Sequence, residues 1–218
     1  MDEGFTLPSG GFADRAEAGR LLADALDDLT GEVVVLAIPR GGVPVAAEIA
    51  RRRGWRLDVV IPRKIGAPRN PELGLGAIAP GVRVLDERII ERLGVPREYL
   101  EREIERQEAE IKRRAEAYRR GRPPVDVAGK TAVIVDDGVA TGGTAAAALR
   151  WARAQGAEAA VLAVPVGAPE SLRRLAPEAD RIVALAAPQR FYAVGQWYRD
   201  FEQTSDEEVI RLLEEANL

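Results

Sequence analysis

Short β-branched runs alternate along the chain with longer stretches that carry Ala, Leu and Arg at helical spacing. In residues 15–29 the apolar side chains recur every three or four positions, as on the buried face of a helix. Residues 33–38 are apolar throughout, which is typical of a strand buried on both faces of a parallel sheet. The alternation therefore predicts an α/β fold. The predicted strands are residues 33–38, 57–61, 130–136, 159–165 and 181–186, and the predicted helices are residues 15–29, 44–53, 143–155, 169–175 and 206–216.

Two segments interrupt this alternation. Residues 62–81 are rich in Gly and Pro and predict a loop that forms a hairpin with Val82–Leu85. Residues 86–94 predict a short capped helix, and residues 97–120 predict a long one whose apolar stripe serves the core or a homodimer. We therefore expect one domain over residues 1–218 with five mainly parallel strands flanked by helices. A flexible hairpin loop at about 66–80 and a small aromatic segment at about 187–204, called the hood below, complete it.

Composition excludes many kinds of chemistry. The 218 residues include neither Cys nor His, which removes disulfides, thiol nucleophiles, zinc sites with these ligands and every triad that needs an imidazole. The net charge of −4 gives no electrostatic footprint for nucleic acid. No apolar run is long enough to span a bilayer, and the first residues lack a signal pattern. We therefore expect a cytoplasmic protein with neither nucleic acid nor membrane among its partners.

The most informative stretch is residues 133–144, VIVDDGVATGGT. A buried strand delivers Asp136 and Asp137 at its carboxyl end, and a Gly/Thr loop then opens into an Ala-rich helix. Main-chain amides at a helix N-terminus bind phosphate, and two adjacent carboxylates can accept hydrogen bonds from a vicinal diol. A phosphate beside a diol describes a ribose 5-phosphate, whereas the plain alternative is a Gly-capped turn with two solvated acids. The candidate phosphate-binding residues are Gly138, Val139, Ala140, Thr141, Gly142, Gly143 and Thr144.

This stretch resembles the donor-binding motif of the type I phosphoribosyltransferases, which is a hydrophobic strand, two acidic residues and a TGGT-like loop. The resemblance covers residues 33–201 and is strongest to the adenine branch and to bacterial domains without an assigned base. It implies that phosphoribosyl pyrophosphate is the donor and a nucleobase-like nitrogen the acceptor, with release of pyrophosphate, in nucleoside metabolism. It also implies Mg2+, held mostly by substrate oxygens, with Asp136 and Asp137 as ligands directly or through water.

The resemblance assigns further residues. Arg40, Gly41 and Gly42 stand where the family has its pyrophosphate loop, for which we expect a cis peptide bond between Arg40 and Gly41. Arg63 and Lys64 stand where cationic residues meet the pyrophosphate, so the implied catalytic set is Asp136, Asp137, Arg63 and Lys64. Arg69 is a candidate cation on the flexible loop, and Phe191 is the first candidate for stacking on the base. The alternatives are an ordinary turn at residues 40–42, solvated loop charges at residues 63 and 64, and core packing for Phe191.

Two other functions stay open at this point. The first is a sensor or regulator that binds the donor and transfers nothing. The second is hydrolysis, or transfer to an unusual acceptor, because Ala140 stands where hypoxanthine-guanine enzymes keep an acidic residue near the base. For the same reason we do not expect guanine-type recognition.

Overall fold

The computed structural model describes residues 10–217, so residues 1–9 and 218 of the expected domain lie outside the described part. Among the described residues, no helix is long and apolar enough to cross a membrane. The helices and strands, in chain order, are α1 (Arg15–Ala25), β1 (Val33–Ala37), α2 (Gly42–Arg53), β2 (Arg56–Val59), β3 (Arg63–Ala67), β4 (Asn70–Ala79), β5 (Val82–Leu85), α3 (Glu87–Leu93), α4 (Arg97–Arg119), β6 (Thr131–Val135), α5 (Gly143–Ala154), β7 (Ala159–Val166), α6 (Pro169–Leu175), β8 (Arg181–Ala186) and α7 (Asp206–Glu215).

The expected five-stranded parallel sheet is confirmed, with the strand order β2-β1-β6-β7-β8. Successive side chains of a strand point to opposite faces, and both faces are covered here. Val33 and Val35 of β1 pack in the core formed with α1, α2, α4 and α7. Val34 and Leu36 pack in the second core, formed with α5 and α6. Burial on both faces explains why β1 is apolar at every position.

The prediction of an irregular loop at residues 62–81 is wrong, because most of this segment forms a second sheet. Strands β3, β4 and β5 pair antiparallel, so the hairpin with Val82–Leu85 is confirmed while β3 was missed. The register shifts on both sides of Gly66, and Gly76 has φ +145° at a point where a Cβ would overlap the Val84 carbonyl. These glycines break the two-residue alternation by which a strand is recognised. The mobility of residues 66–80 stays a prediction.

The hood contains more of the chain than residues 187–204. Phe12 pairs in parallel with Tyr198: the Phe12 amide donates to the Trp197 carbonyl at 2.8 Å, and the Arg199 amide donates to the Phe12 carbonyl at 2.8 Å. A Cβ on Gly11 would overlap the Trp197 carbonyl. The N-terminal residues therefore complete a layer that the sequence assigned to the C-terminal segment alone.

Candidate active site

Asp136 and Asp137 follow β6 at the carboxyl edge of the main sheet. The Asp137 amide donates to Asp136 Oδ1 at 2.9 Å, so the backbone holds the first carboxyl against the second residue. Burial raises the pKa of Asp136 well above its ordinary value, and the neighbouring charge of Asp137 raises it further. Burial also raises the pKa of Asp137, although Arg15 opposes that shift. The two acids therefore form one electrostatic unit that binds a proton or a cation more readily than two separate carboxylates would.

Arg15, at the start of α1, is the direct partner of this pair. Its Nε atom donates to Asp137 Oδ2 at 2.9 Å, and its Nη2 atom lies 2.9 Å from the same oxygen in an ion pair. Its Nη1 atom donates to the Glu202 carbonyl at 2.7 Å. The Tyr198 hydroxyl donates to the Asp137 carbonyl at 2.6 Å. Sequence reasoning missed Arg15, because nothing local distinguishes it in a chain with 31 Lys and Arg residues.

The loop of residues 138–144, called the phosphate loop below, presents a run of unpaired amides from Ala140 to Thr144 at the N-terminus of α5. The backbone amides of residues 140–144 have no hydrogen-bond acceptor within residues 10–217, and the first bond into the helix runs from the Ala146 amide to the Gly142 carbonyl at 2.9 Å. Gly142 has φ +82°, a conformation that favours glycine. Unpaired amides at the positive end of a helix dipole are suited to an anion.

The expectation that the Val139 amide joins this anion site is wrong. That amide donates to the Val166 carbonyl at 2.9 Å, and the Ala168 amide donates to the Val139 carbonyl at 2.8 Å. The parallel pairing of β6 with β7 therefore resumes for one residue beyond the strand. The amides left for an anion begin at Ala140.

Two residues of α6 support the phosphate loop, and sequence reasoning missed both. The buried Ser171 donates through Oγ to the Ala140 carbonyl at 2.6 Å. Arg174 donates through Nη2 to Ser171 Oγ at 3.0 Å and to the Thr141 carbonyl at 3.4 Å. The loop carbonyls are thereby bound on the α6 side, while the amides stay unpaired.

The loop Arg40-Gly41-Gly42 lies directly against the acid pair. A Cβ on Gly41 would overlap Asp137 Oδ2, and a Cβ on Gly42 would lie 2.6 Å from the Val135 carbonyl oxygen, so both positions need glycine. The Arg40 side chain itself extends towards α7, where Nη1 lies 3.7 Å from Asp206 Oδ1. The structure thus brings the loop backbone to the acid pair and directs the guanidinium elsewhere.

The prediction of a cis peptide bond between Arg40 and Gly41 is wrong by one residue. It lies between Pro39 and Arg40. Gly41 already has helical torsions, φ −59° and ψ −32°, as the residue before α2, and the Val43 amide donates to the Arg40 carbonyl at 3.0 Å.

Arg63 and Lys64 diverge, although they are neighbours in β3. Arg63 donates through Nε to Gln107 Oε1 on α4 at 2.8 Å, and its burial, together with the nearby charge of Arg114, lowers its pKa. Lys64 instead lines a cleft of about 880 Å³ that also reaches residues 141–144 of the phosphate loop. The structure therefore brings Lys64 and the phosphate loop to one cleft, and turns Arg63 towards α4. Arg69 lies exposed in the turn between β3 and β4.

Two hood aromatics differ in exposure. Phe191 is half-buried with its ring 6.3 Å from that of Trp197, whereas Tyr192 is 85% exposed. Gln196 Oε1 accepts hydrogen bonds from the Tyr192 and Ala193 amides at 2.9 and 3.0 Å, which fixes the backbone between the two rings. Phe191 packs within the hood, and its contact with a base stays a prediction.

A metal site made entirely by protein is absent from the described residues, since no group of three or more acidic side chains converges in residues 10–217. Asp136 and Asp137 nevertheless offer carboxylate oxygens, the ligand type that Mg2+ prefers. This donor set fits an ion that takes most of its ligands from a bound substrate or water.

The fold and this edge site define an α/β protein with a candidate anion site at the carboxyl ends of parallel strands. A family model described as "Phosphoribosyl transferase domain" matches residues 13–185. The chain therefore belongs to that family.

Three similar proteins extend the comparison. The chain is 50% identical over 208 residues to the Mycobacterium tuberculosis protein named "Putative phosphoribosyl transferase Rv0571c"; the match covers 94% of this chain and 47% of that protein. The chain thus spans about half the length of the curated relatives it matches. The crystal structure of TT1426 from Thermus thermophilus is 48% identical with a TM-score of 0.81, covering 94% of this chain and 98% of that one. A hypothetical protein from Neisseria gonorrhoeae, solved with bound ppGpp, shares the fold at 12% identity, with a TM-score of 0.52 over 97% of this chain and 96% of that one.

Proposed function

We propose that this domain is a Mg2+-dependent phosphoribosyltransferase that takes phosphoribosyl pyrophosphate as donor and a nucleobase-like nitrogen as acceptor. The observation that carries the proposal is the juxtaposition of the unpaired amides of residues 140–144 with the acid pair at the end of β6. A ligand that carries both a phosphate and a sugar diol matches this arrangement, the phosphate at the amides and the diol at the acid pair. Membership of the phosphoribosyl transferase family supports the same conclusion.

In this proposal each part of the site has one task. The phosphate loop binds the 5-phosphate through its amides, with the hydroxyls of Thr141 and Thr144 as further donors. Asp136 and Asp137 accept hydrogen bonds from the ribose hydroxyls. The acceptor nitrogen forms a bond to C1 as the bond from C1 to pyrophosphate breaks, through a transition state with oxocarbenium character. The Gly41 amide and the Lys64 ammonium stabilise the departing negative charge. The Gly42 amide does not take part, because it donates to the Ile38 carbonyl at 3.1 Å.

Mg2+ fits the donor set because the acid pair supplies carboxylate oxygens at the edge where the ribose and the pyrophosphate would lie. When bound, the ion neutralises pyrophosphate charge. Asp136 and Asp137 would hold it directly or through water, and a nearby cation would stabilise their ionised forms. The chain's own contribution is to keep these two carboxylates at a fixed distance from the pyrophosphate loop.

The remaining partners follow from the same reaction. Phe191, with the exposed Tyr192 beside it, is the candidate surface for a flat acceptor. We include in the proposal a cytoplasmic location, a homodimer, and the absence of nucleic acid and membrane among the ligands. The apolar stripe of α4 is buried in the core of the chain, so it does not form the contact between the two copies. The net charge of −4 supports the exclusion of nucleic acid.

The proposal is tested by calorimetric titration of phosphoribosyl pyrophosphate with Mg2+ into the wild type and Asp137→Asn. We expect the variant to lose at least about tenfold in affinity, about 1.4 kcal/mol, because a charge-assisted contact to the diol is replaced by a neutral one. Asp28→Asn is the matched control, since Asp28 is an exposed carboxylate that pairs with Arg181. Equal affinity in the wild type and Asp137→Asn would remove Asp137 from the site.

One observation favours a second candidate, a regulator that binds the donor without transferring it. Arg40 and Arg63, which the family resemblance assigns to the pyrophosphate, are bound to Asp206 and Gln107, and a binding protein needs neither at the leaving group. A panel of nucleobases with phosphoribosyl pyrophosphate and Mg2+ separates the two candidates. Pyrophosphate release with any base supports transfer, whereas tight donor binding without release across the panel supports regulation.

A further inference from the structure

Arg15 connects three parts of the protein that are distant in sequence: helix α1, the acid pair and the hood. We propose that Arg15 is a positioning residue of the donor site, which fixes the Asp137 carboxylate for the ribose hydroxyls and couples it to the hood. This inference rests on the proposed function.

The contacts to Asp137 fix the direction of its carboxylate. Both donor nitrogens of Arg15 bind the same oxygen, Oδ2, and that oxygen also lies against the α-carbon of Gly41, where a Cβ would not fit. Oδ2 is therefore held between a guanidinium and a backbone, and Arg15 leaves Oδ1 of Asp137 to a ligand. Rotation of the carboxylate would break a charge-assisted hydrogen bond and an ion pair at a site where both side chains are about nine-tenths buried, 12% and 14% exposed.

The other side of the guanidinium is bound to the hood. The Arg15 Cζ atom lies 3.9 Å from the centre of the Phe201 ring and 5.9 Å from that of Tyr198, and Nη1 donates to the Glu202 carbonyl at 2.7 Å. Tyr198 also donates to the Asp137 carbonyl at 2.6 Å. Two routes therefore join the hood to the second acid: one through the guanidinium, and one through the tyrosine hydroxyl.

A comparison within α1 separates this contact from an ordinary surface ion pair. Arg20 lies on the same helix, has a side chain that is 45% exposed and approaches Glu48 only to 4.0 Å. Exposed pairs of that kind contribute little to stability and orient nothing. Arg15 instead makes ionic, hydrogen-bond and ring contacts at once, and such convergent contacts are what hold a binding group in a fixed geometry.

The two ends of this connection predict different ligand effects. If Arg15 orients the carboxylate for the sugar, its loss should weaken ligands that carry the ribose hydroxyls and spare ligands that need only the phosphate loop. If the guanidinium also transmits the state of the hood, a change at Phe201 should reach ribose binding although Phe201 does not contact the acid pair. A purely structural role predicts equal losses for all ligands or none.

The experiment compares the Kd values of ribose 5-phosphate and inorganic phosphate for the wild type, Arg15→Gln, Arg15→Lys, Phe201→Leu and the control Arg20→Gln. For ribose 5-phosphate we expect Arg15→Gln to lose about tenfold and Phe201→Leu about threefold. Arg15→Lys should recover only part of the loss, because it retains the charge and not the planar set of donors. For inorganic phosphate we expect all variants to remain within about twofold of the wild type. Arg20→Gln should match the wild type with both ligands.

The outcomes are distinct. If the wild type binds inorganic phosphate but shows no gain for ribose 5-phosphate, the proposed function fails. If the wild type shows that gain and Arg15→Gln keeps it, or if Arg15→Gln loses both ligands equally, only the role of Arg15 is overturned. Thermal melting of each variant verifies folding. If Arg15→Gln does not fold, the test uses Phe201→Leu, because this variant removes the ring contact and retains the ion pair. Unchanged ribose 5-phosphate binding in Phe201→Leu would overturn the proposed coupling to the hood.

Discussion

Gly41→Ala is the sharpest perturbation that the site offers. Gly41 has helical torsions, so alanine costs no backbone strain there, and the lower entropy of the unfolded chain would favour the variant by about 0.4–1 kcal/mol. The new methyl group, however, would overlap Asp137 Oδ2 and lie 2.6 Å from Asp137 Cγ. The carboxylate must move, and its bond to Arg15 is lost.

The magnitude follows from that bond. A hydrogen bond to a charged group contributes about 1.5–3 kcal/mol, and the low exposure of both partners limits the correction for solvent screening. The net loss of stability is then about 1–2 kcal/mol, or about 2–8 °C in Tm for a chain of this size. Displacing Asp137 should also reduce the affinity for phosphoribosyl pyrophosphate at least about tenfold.

Gly31→Ala is the matched control for stability. Gly31 has φ +84° and open space on the side where a Cβ would lie, so alanine there costs about 1–2 kcal/mol of backbone strain without touching the site. Thermal melting and calorimetric titration of both variants give the comparison. We expect similar melting losses in both, and a binding loss in Gly41→Ala alone. The reasoning is refuted if Gly41→Ala binds the donor within about twofold of the wild type.

Three further predictions concern stability. Arg119→Ala should lower the free energy of unfolding in urea by about 3–5 kcal/mol, because it leaves the buried Asp58 carboxylate without its ion-pair partner. The control Arg102→Ala breaks an exposed ion pair on the same helix and should lower it by no more than about 0.5 kcal/mol. Since the pKa of Asp136 is raised from 3.8 in the folded protein, the stability that this group contributes is complete below that pH and is lost as the pH rises through the folded-state pKa. Asp136→Asn should therefore gain Tm relative to the wild type as the pH rises above about 4, and a constant difference would contradict this. Ser171→Ala should cost about 1 kcal/mol and weaken phosphate binding, as measured by melting and titration.

The parts of the fold that the sequence predicted are those with local causes. Strand β1 is apolar at every position because it is buried on both faces, and α6 begins at Pro169 because proline suits the first turn of a helix. The phosphate loop has the same character, since its glycines and the helix that follows are contiguous. Strand β3 lacked such a signal, because its pairing with β4 is interrupted at Gly66.

The parts of the site that the sequence did not predict depend on distant contacts. Arg15 is 122 residues from Asp137, and Tyr198 is 61 residues from it. Neither separation leaves a pattern in a single sequence. The sequence shows that Arg63 is cationic, yet the direction of its side chain depends on the hydrogen bond to Gln107, 44 residues away on α4.

The pairing of Phe12 with Tyr198 also bears on how the polypeptide reaches this shape. It joins segments from near the two ends of the described chain, and a contact across so long an intervening loop carries a large closure entropy. During synthesis, the N-terminal segment leaves the ribosome long before its partner exists, so the central sheet can assemble first. Arg15 can acquire its aromatic neighbours only after Tyr198 and Phe201 have been synthesised, and a nascent chain that stops before them would carry an acid pair with no hood beside it.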